Sequence, residues 1–190
     1  MIANPKRQGL TPQEYFEWEA LQEYKHEYVD GEVFEVTGGT IPHAAVTLNL
    51  AFSLKLHLRG GPCRVFSSDA KVGVSEQGPF LYPDVVVTCD ERDRNAARAI
   101  HFPTLVIEVL SPTTEAYDRG TKFRRYRRIE TLSEYVLVDA ERVGVDCFRR
   151  NPVGIWELHP YTEEDHEIRF ASLDLRVSMA QVYEEVRFES

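Results

Sequence analysis

The sequence predicts an α/β fold: one domain with a mostly buried, mixed β-sheet and helices on its faces. Short runs rich in branched apolar residues, typical of strands buried on both faces, occur at 80–89, 104–110 and 134–139. Segments with helical signals precede these runs and separate two of them, which is the arrangement expected of helices packed on a sheet. The chain has 190 residues, enough for one substantial core, so we expect a single domain over 1–190.

The N-terminal region predicts a flexible arm followed by a helix. Residues 1–10 show no regular pattern and are expected to form the arm. Thr11 is a suitable N-cap, Pro12 suits the first helical position, and Glu14 completes a capping box. We expect this helix to extend toward Tyr24.

Two further elements follow the first helix. Asp30-Gly31 separates two alternating runs within 27–36, and this pair is a strong hairpin signal. Residues 43–59 alternate like a strand, but their length and their leucine and alanine content favour a helix. Such a helix would carry two apolar stripes, and we expect one to face the sheet and the other a partner subunit.

The remaining elements are mostly strands. The predicted strands lie at 63–75, 143–149, 155–161 and 167–171, a charged connector spans 91–100, a basic helix spans 114–129, and a capping box from Ser178 to Gln181 opens a terminal helix. The basic helix is crowded with cations: Arg119, Lys122, Arg124, Arg125, Arg127 and Arg128.

Bulk composition restricts the function classes. The formal net charge of −9 argues against a protein that coats nucleic acid or anionic membranes over a broad surface, although a local basic cleft is compatible with it. The three cysteines are odd in number and far apart, which predicts neither a disulfide framework nor a zinc site. Without a signal-peptide pattern or an apolar stretch of about 18 residues, we expect a cytoplasmic protein that is not inserted in a membrane.

Two carboxylates in apolar strands are the candidates for chemistry. Glu108 lies in the middle of a buried run, where an uncompensated carboxylate costs several kcal/mol. Asp84 opens a second buried run, so the two side chains can converge if the strands are neighbours. Two carboxylates and a backbone carbonyl suit Mg²⁺, which also accepts phosphate oxygens. Purely structural explanations stay open, since Asp84 could end a turn and Glu108 could pair with an arginine.

Lys122 is the candidate cation for such a site. It lies one helical turn from Tyr126, so both side chains could face one cleft. There the ammonium group could stabilise developing negative charge or orient an attacking water.

Several motifs resemble a known family. The segments DGE, SDAKV, YPDVVVTCD and VIEVLSPTTEAYDRGTKFRRYRRI, in this order over roughly 11–150, resemble the Uma-type putative restriction endonucleases of the PD-(D/E)XK nuclease superfamily. The resemblance implies the restriction-endonuclease-like fold, a central mixed β-sheet flanked by helices. It also implies hydrolysis of DNA phosphodiester bonds with Mg²⁺ or Mn²⁺.

Residue by residue, the resemblance assigns Asp84 and Glu108 as metal ligands, with the backbone carbonyl of Val109 completing the set. The superfamily places a lysine two residues after the second acid, where this chain has Leu110. The resemblance therefore implies that Lys122 takes the role of that lysine. Glu32 resembles an additional acid that some superfamily members supply from the N-terminal region, although a solvated hairpin glutamate explains it equally well.

Weaker candidates accompany these residues. Asp69 has the acid-x-lysine spacing but no partner acid in a preceding buried strand, so we interpret it as a rim or structural residue. His43 is more simply a capping or packing histidine than a catalytic one, and Asp118 is expected to cap the basic helix or pair with Arg119 or Lys122. Of the arginines in the basic helix, about half are expected to be solvated or paired and the others to meet phosphates.

The sequence supports competing functional hypotheses. The first is a Mg²⁺-dependent endonuclease that binds DNA in a local cleft and forms a homodimer. The alternative is a catalytically inactive, dimeric binding or regulatory module that retains the nuclease fold, which the acidic charge and Leu110 favour. A third hypothesis is a metal-dependent hydrolase of smaller phosphate esters.

Overall fold

The computed structural model describes residues 6–36 and 38–188. Twelve strands are present in these ranges: β1 (His26–Val29), β2 (Glu32–Glu35), β3 (Arg64–Ser67), β4 (Val72–Gly73), β5 (Phe80–Leu81), β6 (Val85–Thr88), β7 (Pro103–Leu110), β8 (Glu134–Asp139), β9 (Gly144–Arg150), β10 (Trp156–Thr162), β11 (Glu167–Phe170) and β12 (Leu175–Ser178). The α-helices are α1 (Pro12–Glu19), α2 (Ile41–His57), α3 (Glu115–Tyr117), α4 (Phe123–Tyr126) and α5 (Met179–Val182). Single turns of 3₁₀-helix occur at Glu91–Asp93 and Ala171–Leu173, and a π-helical turn occurs at Asp118–Lys122.

A six-stranded mixed sheet forms the centre of the molecule, in the order β10-β9-β8-β7-β6-β3. Its central pair, β7 and β8, is parallel, and its other pairs are antiparallel. A parallel pair needs a crossover connection, which the segment from α3 to α4 provides. A second sheet, β2-β1-β5-β4, and the β11–β12 hairpin complete the strands. The predicted class, an α/β fold with a central mixed sheet flanked by helices, is confirmed.

Both faces of the central sheet are covered, as the apolar runs predict. On one face Leu105, Ile107 and Val109 pack with the buried side of α2. On the other face Val106 and Leu110 pack in a cluster that includes Tyr126. Because side chains alternate along β7, Glu108 points to this second face.

The first helix and the hairpin follow the sequence signals. The capping box between Thr11 and Glu14 is present, but α1 ends at Glu19, short of Tyr24. The chain turns there because the Glu19 side chain accepts a hydrogen bond from the backbone N–H of His26, at the start of β1. At the hairpin, Asp30 and Gly31 have φ angles of 51° and 88°, the left-handed values that a tight two-residue turn requires.

Helix α2 confirms the helical interpretation of 43–59. It begins two residues earlier than 43, with Thr40 as its N-cap. One stripe of the helix, which includes Leu50 and Leu54, is completely buried against the sheet. The other stripe is exposed in this single chain, with 68% of Leu48 and 63% of Phe52 accessible.

The basic segment is not the continuous helix predicted over 114–129. A π-helical turn at Asp118–Lys122 separates α3 from α4. The turn directs both Asp118 and Lys122 into the interior, where their side chains lie 3.5 Å apart as an ion pair. Inserted π turns of this kind are frequent at functional sites.

Three other expectations are corrected. Residues 6–10 are not a loose arm, because Lys6, Arg7 and Leu10 form backbone hydrogen bonds with the β2 hairpin, while residues 1–5 lie outside the described ranges. Strand β12 was not predicted. In the described ranges it forms an antiparallel pair with β11. The terminal helix is present but is limited to Met179–Val182.

The expectation that the cysteines are unpaired is also wrong for two of them. Cys63 and Cys89 form a disulfide. They flank the antiparallel pair β3–β6, in which Arg64 lies opposite Thr88, so the strand register brings the two cysteines together across 26 residues of sequence. Cys147 is a buried free thiol, and burial raises its pKa to about 12.

The cytoplasmic location stays a prediction. In the described residues, no helix combines the length and the apolar character needed to cross a bilayer.

The Cys63–Cys89 disulfide predicts how many thiols react before and after reduction. Unreduced protein unfolded in denaturant should expose one reactive thiol, that of Cys147, and reduction should raise the count to all three cysteines. In the native protein Cys147 should react slowly at neutral pH, because its thiolate is both rare and buried. A colorimetric thiol assay checks each state, and three reactive thiols before reduction would contradict the pairing.

Candidate functional site

The strand register brings the two predicted acids to the same end of neighbouring strands. In the antiparallel pair β6–β7, Val85 lies opposite Ile107, so the next pair outward is Asp84 and Glu108. The Asp84 carboxylate confirms this proximity, because its Oδ2 accepts a 2.7 Å hydrogen bond from the backbone N–H of Val109. The condition for convergence of the two acids, that their strands are neighbours, is therefore met.

Glu108 is buried and faces Lys122. Only 2% of Glu108 and 7% of Lys122 are accessible. The Lys122 Nζ lies 3.1 Å from each carboxylate oxygen of Glu108 but donates a well-oriented hydrogen bond only to Oε2. Glu108 Oε1 consequently remains a buried oxygen without a hydrogen-bond donor. The structure thus brings Lys122 from the helical crossover to the acid on β7.

Two more acids surround the same ammonium group. Glu27 Oε1 lies 3.2 Å from Lys122 Nζ, and Asp118 Oδ1 lies 3.5 Å from it. Glu27 also accepts hydrogen bonds from the Tyr82 backbone N–H at 3.1 Å and from the Tyr117 hydroxyl at 3.3 Å. We call Lys122 and its acidic neighbours Glu27, Glu108 and Asp118 the Lys122 cluster. It contains more negative than positive charge.

The electrostatics follow from burial and from this imbalance. Burial raises the pKa of Glu108 well above its usual value, and the neighbouring acids add to the rise although Lys122 opposes it. Burial also raises the pKa of Asp118. The pKa of Lys122 is raised well above its usual value, because the attraction of the three acids exceeds the opposing effect of burial. Lys122 therefore stays protonated at neutral pH.

Asp84 is held from a different side. Its Oδ2 lies 3.3 Å from His43 Nε2, in addition to the hydrogen bond from Val109. Burial opposes protonation of His43, but Asp84 and the Val109 carbonyl raise the histidine pKa above its usual value overall. His43 is therefore more than the capping or packing residue that the sequence indicated, since its side chain contacts a predicted site residue.

Gly39 explains how His43 reaches this position. A Cβ atom on Gly39 would lie 2.5 Å from Nδ1 of the imidazole, a distance at which either the ring or the backbone must move. The glycine that precedes α2 thus provides the space in which the histidine ring lies. In the sequence, the Gly-Gly pair and His43 looked like a turn followed by a helix start.

The donors at this end of the sheet fit a magnesium or manganese ion. Asp84, Glu108 and the Val109 carbonyl are hard oxygen donors, and Glu108 Oε1 accepts no hydrogen bond from the described residues although the Lys122 ammonium group lies 3.1 Å away. In the ranges 6–36 and 38–188, no group of three or more His, Cys, Asp or Glu side chains is arranged to hold a metal. Mg²⁺ does not require such a cage, because it keeps several waters and often binds through one or two carboxylates.

Other predicted residues lie outside this arrangement. Glu32 takes part in none of the contacts described above, and the acid that the N-terminal hairpin contributes is Glu27. Asp69 pairs with Lys25 at 3.0 Å and is strongly exposed, in agreement with its interpretation as a rim or structural residue. Asp118 pairs with Lys122, one of the two partners expected for it.

Two arginines of the basic segment are paired with acids, and the expected contacts of others with phosphates stay a prediction. Arg119 pairs with Glu115 and Asp146, and Arg125 pairs with Asp30. The other three are exposed on the surface: Arg124, Arg127 and Arg128.

Glu27 is the site residue that the sequence interpretation missed. It lies in β1, between the buried His26 and Tyr28, and is itself only 7% accessible. The available signal was an acid within a short apolar strand, the same signal that identified Glu108. The Asp30-Gly31 turn indicated Glu32, on the following strand, instead.

The chain is similar to known proteins in sequence and in fold. The family described as "Uma2: Putative restriction endonuclease" matches residues 12–180. Two uncharacterized proteins of Synechocystis sp. (strain ATCC 27184 / PCC 6803 / Kazusa) are similar to the chain. One, slr1290, is 39% identical and covers 94% of both chains, and the other, sll1609, is 31% identical and covers 87% of this chain and 95% of its own.

A solved structure shares the fold. It is described as a putative nuclease belonging to DUF820 from Anabaena variabilis ATCC 29413 and superimposes with a TM-score of 0.74. The match covers 92% of this chain and 97% of the other at 17% sequence identity. The restriction-endonuclease-like fold is thereby confirmed.

The charge imbalance predicts the effect of removing Lys122. Lys122→Met leaves three buried acids without their shared cation, so it should lower the free energy of unfolding by about 3–5 kcal/mol. Urea denaturation at neutral pH measures this loss. Lys55→Met, at an exposed position of α2, is the matched control and should change stability by less than about 1 kcal/mol. Equal effects of the two substitutions would show that the acids do not depend on the ammonium group.

Proposed function

The chain belongs to the Uma2 family of putative restriction endonucleases, and from this premise we propose that it is a Mg²⁺- or Mn²⁺-dependent endonuclease that hydrolyses DNA phosphodiester bonds. The observation that carries the proposal is the pairing of Asp84 and Glu108 at the same end of neighbouring strands, with Lys122 on Glu108. Two strand acids and a lysine within hydrogen-bonding reach are the parts that metal-assisted phosphodiester hydrolysis needs.

Each residue has a role in this proposal. Asp84, Glu108 and the Val109 carbonyl would hold the ion, which when bound would activate a water and polarise the phosphate. Lys122, kept protonated by its acidic neighbours, provides positive charge where negative charge develops on the phosphate. Val109 N–H and His43 orient the Asp84 carboxylate, and Glu27 orients Lys122.

DNA would bind locally and not over a broad basic surface, as the net charge of −9 requires. The exposed Arg124, Arg127 and Arg128 follow Lys122 directly in sequence. Arginines that are not held by carboxylates can neutralise phosphates on either side of a bond positioned at Glu108.

Two observations favour the alternative, an inactive dimeric binding or regulatory module with the same fold. The Lys122 ammonium is already surrounded by three acids, and Leu110 occupies the usual lysine position on β7. Such a module would bind DNA or a partner without cleaving it.

We also propose a homodimer, formed through the exposed stripe of α2. Leu48, Phe52 and Leu56 are spaced four residues apart, so they form a continuous apolar row on one side of the helix. A row of this kind can pair with its symmetry-related copy in an isologous contact.

A plasmid-nicking assay tests the nuclease proposal. With Mg²⁺ or Mn²⁺ the wild-type protein should nick supercoiled DNA, and chelation should stop the reaction. The rate should fall by about 100-fold or more in each of three variants, Glu108→Gln, Asp84→Asn and Glu27→Gln. Each substitution changes the charge around the reacting phosphate.

Glu32→Gln is the matched control, since it removes an acid from the same hairpin outside the Lys122 cluster, and it should retain wild-type activity. Equal nicking by all variants would exclude the assigned site. Absence of nicking by the wild-type protein on single-stranded, duplex and branched DNA would favour the inactive module.

The dimer proposal is tested by solution mass. At micromolar concentration, light scattering after size exclusion should give the mass of two chains for the wild-type protein and of one chain for Phe52→Glu, because a buried unpaired charge is costly at an interface. Val153→Glu changes an equally exposed apolar residue on the β9–β10 turn and should leave the dimer intact. A wild-type monomer would contradict the proposal.

A further inference from the structure

A second site that contains basic side chains lies beside the Lys122 cluster, although its lining also contains four acids: Glu17, Glu19, Glu23 and Asp69. A cavity of about 580 Å³ opens between the end of α1 and the segments around Lys71 and Arg98. Tyr82 forms part of its wall, and the backbone of the same residue belongs to the cluster: its N–H donates to Glu27, and its carbonyl accepts from Lys122 at 3.4 Å. The cavity and the cluster are therefore separated by a single tyrosine residue.

Lys71 is an uncompensated charge in this cavity. It is half-buried, its ammonium group lies 4.8 Å from the centre of the Tyr82 ring, and no carboxylate of residues 6–36 or 38–188 forms an ion pair with it. The ammonium group of Lys25 lies 5.7 Å from the centre of the same ring but is neutralised by Asp69. Of the two lysines on Tyr82, only Lys71 lacks an anion.

The surrounding groups do not supply that anion. Glu19, the acid whose charge acts on Lys71, already accepts hydrogen bonds from the Tyr82 hydroxyl and the His26 backbone, and its other oxygen contacts the His26 ring. Burial and the charge of Lys25 lower the pKa of Lys71, although Glu19 opposes them. A bound anion would compensate this cost.

Arg98 adds a second cation at the mouth of the cavity. It is exposed, lies 5.5 Å from the centre of the Phe16 ring, and has no ion-pair partner in the described part of the chain. The rim also carries Glu17 and Glu23, which repel small anions that approach from solution. An anion that is part of a larger ligand already bound next door can overcome this repulsion through the other contacts of that ligand.

We propose that this cavity is a subsite for the phosphate adjacent to the scissile phosphate of a polynucleotide strand, with Lys71 as its principal contact and Arg98 at its entrance. The inference rests on the proposed function, because the neighbouring Lys122 cluster determines what the ligand is. It adds that the substrate is a continuous nucleic-acid strand contacted on both sides of Tyr82, which a small phosphate ester could not span.

Binding, not cleavage, tests the subsite. The full chain carrying Glu108→Gln is titrated into fluorescein-labelled 12-nucleotide single strands and duplexes at several salt concentrations, and anisotropy gives the dissociation constant. Adding Lys71→Met should weaken binding about threefold to tenfold and reduce the slope of log affinity against log salt by about 0.7–0.9, the value of one phosphate contact. Lys71→Arg should retain the slope.

Lys55→Met is the control for a lost surface charge and should change neither quantity. Unchanged thermal unfolding of the Lys71 variants shows that the fold is kept. Equal slopes for Lys71→Met and Lys55→Met would overturn the subsite, as would absence of binding to both DNA forms or equal competition by millimolar inorganic phosphate with and without Lys71. A lost Lys71 effect with DNA binding intact overturns the subsite alone, whereas absence of binding to both DNA forms overturns the nuclease proposal as well.

Discussion

The pairing of the Lys122 ammonium group with Glu108, inside a ring of further carboxylates, is the interaction on which the site depends. Every element near it contributes one part: β7 supplies Glu108, the π turn supplies Asp118 and Lys122, and β1 supplies Glu27. Charges this deeply buried cost several kcal/mol each unless they are paired. The positions of the π turn and of the hairpin sheet are therefore coupled to the central sheet by electrostatics as well as by apolar packing.

Tyr82 connects this cluster with the neighbouring cavity. Its backbone bonds to Glu27 and Lys122, its hydroxyl donates to Glu19, and its ring lies beside two lysines. The next residues are Pro83, which fixes the entry into β6, and Asp84 at the strand end. The stretch from Tyr82 to Asp84 thus positions Asp84, a candidate metal ligand, and separates the Lys122 cluster from the neighbouring cavity. These two roles give a physical reason for the sequence YPD.

Much of the fold could be predicted because its signals are local. The capping box at Thr11, the Asp30-Gly31 turn and the branched run of β7 each specify conformation within a few residues. The parts that were missed depend on contacts between distant segments. Glu27 meets Lys122 only because the hairpin sheet packs beside the crossover, and Cys63 meets Cys89 only through the β3–β6 register. The π turn was not predicted, because the attraction between Glu108 and Lys122 produces no local sequence pattern.

The lysine lies on the crossover and not on β7, and this position changes the chemistry available to its amine. Leu110, on the same face of β7 as Glu108, packs in the apolar cluster with Val106 and Tyr126, so that position contributes to the core. An amine that arrives instead from the π turn lies among Glu27, Glu108 and Asp118, and these raise its pKa well above that of a free lysine. At neutral pH such a group cannot remove a proton from water. In the proposed mechanism its contribution would be a fixed positive charge, held in place before any phosphate arrives, and proton transfer would involve other groups.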